Sequence, residues 1–118
     1  IEETDKTLCG IGLVHMEKGE HTEAFDYFTR ALEKSSGNLV ALNCMVREAY
    51  QTNQVDKTIS MLESALEASE EKEAVRVTLA GCLIFLGRQS EAREHLEIVL
   101  GSNPANPNAK ELFESMAA

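Results

Sequence analysis

Residues 23–31 read Glu-Ala-Phe-Asp-Tyr-Phe-Thr-Arg-Ala. The pattern is a small residue, an aromatic four positions on, and a second small residue three after that. The same frame returns at a fixed interval. Residues 57–65 carry Thr58, Leu62 and Ala65 in those places, and residues 91–99 carry Ala92, Leu96 and Val99. The interval is 34 residues each time, and no insertion or deletion is needed to keep it. A period of this length marks a repeat architecture, in which each unit buries its apolar face against the next.

The register holds upstream of that stretch. Gly12, Val46 and Ala80 form one column, and Ile11, Met45, Leu79 and Phe113 form another. Gly19, Asn53 and Gly87 form a third, of residue types that accept the left-handed conformation ending a helix. Thr22, Asp56 and Ser90 follow, and each is expected to cap a second helix through its side-chain oxygen. Each copy therefore reads as helix, tight turn, helix, with copies at 5–38, 39–72 and 73–106. Asn106 and Pro107 give a cap and a first residue for a seventh helix, about 107–117. Gly12 faces Ala24 within one hairpin and Ala80 faces Ala92 in another, so those helix pairs approach closely. Val46 and Thr58 are bulkier, and the second hairpin is expected to splay slightly or its neighbours to adjust.

These residues resemble the tetratricopeptide repeat family, whose pattern is W-x2-L-G-x2-Y, then A-x3-F, A and P over 34 residues. The first copy gives Leu8-x2-Ile11-Gly12-x2-His15, then Ala24-x3-Phe28, Ala31 and Ser36. The third gives Arg76-x2-Leu79-Ala80-x2-Leu83, then Ala92-x3-Leu96, Val99 and Pro104. The second is the loosest, with Leu42, Met45, Val46, Ala49, Thr58, Leu62 and Ala65. The Trp is missing throughout, and Ser36 and Glu70 stand where the family has Pro. The resemblance implies an all-α, right-handed superhelical solenoid of three hairpins with a C-terminal capping helix. The whole chain, 1–118, is then one domain.

It also implies a concave groove lined by the first helices. At roughly 100° per residue, the face turned away from the partner helix can be read off. It carries Cys9, Leu13 and Met16 in the first copy, and Val40, Asn43, Arg47 and Tyr50 in the second. In the third it carries Val77, Ile84 and Phe85, the last two of which either line the groove or pack under the final helix. The lining is apolar around one central charge, Arg47, and an apolar face of this kind accepts an amphipathic helix or a peptide. In the family, a clamp of Lys, Asn and Arg holds the terminal carboxylate of chaperone tails. Cys9, Leu13, Cys44, Ala74 and Thr78 stand in the matching places, so such tails are not an expected ligand.

Charge and chemistry narrow the remainder. Twenty acidic residues against eleven Lys and Arg leave a net charge of -9, which repels nucleic acid and anionic membrane surfaces. No apolar run is long enough to cross a bilayer. The three cysteines, Cys9, Cys44 and Cys82, are an odd set without close pairs, pointing to a reducing, cytoplasmic setting. Cys9 and Cys44 share a face but lack the further ligands zinc requires, and they read as small apolar fillers. His15 reads as a hydrogen-bonded core residue rather than a base, and His21 and His95 have no nucleophile beside them. No cofactor, metal site or catalytic constellation is expected. The function expected is a non-catalytic protein-binding module that assembles or scaffolds a complex. Two other roles stay open: an accessory portion of a larger enzyme, to which a chain starting at Ile1 rather than Met leaves room, and a self-associating element.

Overall fold

The computed structural model describes residues 2–116. Among the described residues seven α-helices are present: α1 (Asp5–Glu17), α2 (His21–Lys34), α3 (Leu39–Thr52), α4 (Ile59–Ala68), α5 (Lys72–Phe85), α6 (Gln89–Ser102) and α7 (Pro107–Met116). A 3-10 turn, Val55–Thr58, leads into α4, and no strand occurs among the described residues. Position 117 of the expected last helix lies outside the described residues. The chain forms two compact units, residues 1–69 and 70–118.

The 34-residue period is visible in individual hydrogen bonds. Between the two helices of each hairpin, one backbone bond recurs: Glu20 N to His15 O at 2.9 Å, Gln54 N to Ala49 O at 2.8 Å, and Arg88 N to Leu83 O at 2.8 Å. Just before each of these donors stands Gly19, Asn53 or Gly87, with φ of 76°, 57° and 80°. The turn is thus made by a left-handed residue and a backbone bond. The expected side-chain caps are not used. Thr22 and Ser90 lie inside the first turns of α2 and α6, whose capping positions, Glu20 and Arg88, make no side-chain cap bond. Side-chain caps stand instead before first helices. Thr4 Oγ1 accepts from Thr7 N at 3.1 Å, Asn38 Oδ1 from Ala41 N at 3.0 Å, and Asn106 Oδ1 from Ala109 N at 2.9 Å.

In the first unit, α1 packs along α2 and α2 along α3. Phe28, Ala24 and Ala31 of α2 are fully buried, as are Leu42 and Met45 of α3 to within 1%. Burying one such large side chain contributes about 1.5–3 kcal/mol. Gly12 is the close-approach point: a Cβ there would stand 2.8 Å from Phe28 Cε1. The second hairpin is opened as expected. Thr58 occupies the place of Ala24, is fully buried, and donates its hydroxyl to the Val55 carbonyl at 2.6 Å. A β-branched residue bonding its own turn competes with the α-helix. So α4 begins at Ile59, and the backbone of α3 draws close to the 3-10 turn rather than running along α4.

In the second unit, α5 packs on α6, with Ala80 and Ala92 both fully buried. Helix α7 rests on α6 and α5 through Ala109, and Leu112 reaches to 4.0 Å from a Cβ built on Gly81.

Candidate functional site

The expected binding residues fall in both units, and each unit is considered by itself. In the first, Cys9 and Leu13 of α1 and Val40 of α3 line one cleft of about 440 Å3. Cys9 forms a buried part of the lining, Leu13 is half-buried, and Val40 is 58% exposed. Gly10 and Gly37 also line it, and their lack of side chains leaves it open.

One wall is held by a polar clip. Asp5, the first residue of α1, accepts a hydrogen bond at 2.9 Å from the side-chain amide of Asn38, which also caps α3. Both residues line the cleft. A carboxylate at the start of one first helix therefore fixes the start of the next. Reading helical faces alone missed Ser35, Gly37 and Asn38, because the connection between helices lies outside a helical projection. The available signal was an Asn directly before the apolar pair Leu39-Val40, a helix-start pattern.

The other expected residues lie apart from this cleft. Met16 is half-buried near the end of α1, and Asn43, Arg47 and Tyr50 are exposed on α3. Arg47, expected as the central charge of the groove, does not line this cleft. The charged groups at the cleft are Asp5 and Lys6. Arg47 instead acts on Cys44, whose thiol pKa is raised first by burial, with Arg47 opposing and Glu48 adding to the rise. The Cys9 thiol is raised by burial, then by Cys44 and Asp5. Both thiols are therefore held protonated at neutral pH and are poor nucleophiles. All three cysteines are free, and no group of three or more potential metal ligands occurs among the described residues.

His15 stacks on Tyr27 with ring centroids 5.3 Å apart, and its Nδ1 lies 2.8 Å from Glu20 Oε1. It is hydrogen-bonded as expected, though partly exposed rather than in the core. His21 and Glu48 form a pair the sequence did not reveal. His21 Nδ1 lies 2.5 Å from Oε2 of Glu48, a carboxylate fully buried on α3.

In the second unit, Val77 lines a more polar cleft of about 310 Å3 with Ala74, Thr78, Glu73 and Asn106. Ile84 is half-buried and Phe85 is 58% exposed, so Phe85 does not pack under the last helix.

Comparison with known proteins places this architecture. A tetratricopeptide repeat profile matches residues 49–115, more than half of the chain, and a second matches residues 5–34. The chain belongs to the tetratricopeptide repeat family. Similar solved structures agree on the fold of this tetratricopeptide repeat protein. The first tetratricopeptide domain of Spaghetti (RPAP3), bound to the HSP90 peptide SRMEEVD, superposes with a TM-score of 0.72 at 18% identity, covering 98% of this chain and 94% of that one. The first such domain of human RPAP3 gives 0.71 at 18%, covering 97% and 93%. A mutant of MamA gives 0.70 at 21%, covering 98% of this chain and 69% of MamA. At these identities the likeness is one of fold.

Proposed function

We propose that this tetratricopeptide repeat protein is a non-catalytic interaction module that receives a helix or an extended peptide of a partner protein on the α1–α3 face. The observation that carries the reading is the cleft of about 440 Å3, where Cys9, Leu13 and Val40 offer apolar surface beside the Asp5–Asn38 clip. Apolar clefts with a few fixed polar groups are the usual form of a recognition site. Arg47, Asn43 and Tyr50 on α3 and Met16 on α1 extend the contact surface around it. Val77, Ile84 and Phe85 supply apolar contact surface in the second unit. Tyr50 is a large ring with a polar tip, a common interface anchor.

A chaperone tail is not the proposed ligand, although a protein of the same fold carries one. The terminal carboxylate needs cationic and amide donors, and this chain has Cys9, Leu13, Cys44, Ala74 and Thr78 in those places. The unbroken register over 5–106 supports treating the repeats as a single domain that brings partners into a complex. Three free cysteines support a reducing, cytoplasmic setting.

The test is capture from native lysate with the parent chain and with Val40→Asp. Val40 is exposed, so the variant is expected to fold like the parent. A protein retained by the parent and lost by Val40→Asp supports the reading. An unchanged set of retained proteins contradicts it.

A further inference from the structure

Helix α1 holds two interior glycines, and the fold accounts for one of them. A Cβ on Gly12 would stand 2.8 Å from the Phe28 ring, so the packing of α1 on α2 requires glycine there. Gly10 is different. It lies in the middle of α1 and is exposed, and a Cβ on it meets nothing within 4 Å. Its backbone needs no left-handed conformation, unlike that of Gly19 and Gly87. In a helix interior only proline is a poorer choice than glycine. Packing within the chain gives no reason for that choice at Gly10. The other helical glycines differ: Gly81 approaches Leu112 at 4.0 Å, and Gly101 falls in the last turn of α6. What Gly10 does is bare the backbone of α1 on the wall of the 440 Å3 cleft. Glycine is the residue that lets a ligand come close to a backbone.

This face is open in every copy, so its openness does not depend on the place of α1 in the array. The register mates of Lys6, Val40 and Ala74, are exposed, and so is Arg47, the mate of Leu13 on α3. The mates of Gly10 are Cys44 and Thr78, both half-buried, so the missing side chain is particular to α1.

Resting on the reading of this cleft as a binding site, we propose that Gly10 is its specificity-determining residue and that an aromatic ring of the partner segment lies on it. The ring is a Phe, Tyr or Trp side chain, with the Lys6 ammonium over its outer face. Two arrangements already present in the chain support this. The other interior glycine of α1 is covered by a ring, that of Phe28. Cations also sit over rings twice, Arg30 over Tyr27 at 5.0 Å and Arg93 over Phe113 at 5.4 Å. Lys6 is exposed, lines the cleft and joins none of the ion pairs among the described residues. The other charged group at the cleft, Asp5, is bonded to Asn38. A flat ring covers a bare stretch of helix backbone, while Cys9, Leu13 and Val40 give it apolar walls. Aromatic anchors in pockets of this kind dominate many interfaces.

A second copy of this chain is the poorer source of the ring. Each copy carries a net charge of -9, which works against self-association. The two exposed rings, Tyr50 and Phe85, each already hold an interaction of their own.

The probe is a library of random short peptides displayed on phage, selected on the parent chain. Retained peptides are synthesised and titrated against the parent, Val40→Asp, Gly10→Leu and Lys6→Gln. Gly10→Leu is expected to melt no lower than the parent, because the site is open and leucine favours a helix. Peptides that lose binding with Val40→Asp are expected to carry an aromatic residue. Replacing that residue by leucine, or Gly10 by leucine, should weaken binding by roughly tenfold or more. Lys6→Gln should weaken it by roughly two- to fivefold. Val40-dependent peptides that lack an aromatic residue, or that bind Gly10→Leu like the parent, overturn the proposal and leave the cleft standing as a site. If no retained peptide depends on Val40, the reading of the cleft falls, and the proposal with it. A parent chain that sediments as a dimer and becomes monomeric with Gly10→Leu also overturns it, since the ring then belongs to a second copy.

Discussion

The Glu73 carboxylate accepts a hydrogen bond from the side-chain amide of Asn106 at 2.5 Å, and a second from Asn103 at 2.7 Å. It stands two 34-residue periods on from Asp5, whose bond to Asn38 likewise spans 33 residues. The same device therefore ties successive first helices in both units.

That clip makes the second unit sensitive to acid. The bonds from Asn106 and then Asn103 hold the Glu73 pKa below its ordinary value. A carboxylate with a lowered folded pKa contributes stability above the ordinary carboxylate range, and this is lost as pH falls through the folded value. Docking of α7 is expected to weaken on acidification, and Glu73→Gln should flatten that dependence. Amide exchange along α7, followed against pH in both forms, checks it.

Gly12 and Gly10 should respond to alanine with opposite signs. A Cβ at Gly12 meets the Phe28 ring at 2.8 Å, whereas nothing lies within 4 Å of one at Gly10. Overpacking a buried contact costs about 1–3 kcal/mol, which outweighs the gain of roughly 0.8–1 kcal/mol from replacing Gly in a helix. Gly12→Ala is expected to destabilise the chain and Gly10→Ala to stabilise it by about the helix gain alone. Urea unfolding of the two variants decides the order.

How the sequence came to reveal the hairpins, and to miss other features, follows from what each depends on. The small columns Gly12–Ala24 and Ala80–Ala92 report backbone approach, which few residue types permit, so the hairpins were readable. Capping depends on where the chain leaves the turn. The bond from Glu20 N to His15 O closes it one residue before His21, so Thr22 is already helical. The register set Ile11 in one column with Met45 and Leu79, which are fully buried, yet Ile11 is 41% exposed, because a column is buried only where another helix covers it. The cleft was half visible. Cys9, Leu13 and Val40 follow from helical geometry, while Asn38 and Gly37 depend on a loop path that no helical projection contains.

The thiols should be sluggish. Burial raises the pKa of both Cys9 and Cys44, and Cys82 is fully buried. Alkylation by iodoacetamide at neutral pH is expected to be slow in the folded chain and fast in urea. A folded-state rate matching that of free glutathione would contradict this description of the α1–α3 face.

Titration with the peptide SRMEEVD should give no saturable heat, since Ala74 and Thr78 offer no cation to its carboxylate. Micromolar binding that disappears when the carboxylate is amidated would show that another cation serves.

The most direct measurement concerns the proposed cleft. Val40 and Ile98 are apolar residues of similar exposure, 58% and 51%, and only Val40 lines the cleft. A photo-crosslinking amino acid placed at either position and illuminated in native lysate compares two equally open sites. Crosslinking to a discrete protein from position 40 and not from position 98 is the predicted result. Discrete crosslinks from position 98 alone would contradict the assignment and move the binding surface to α6.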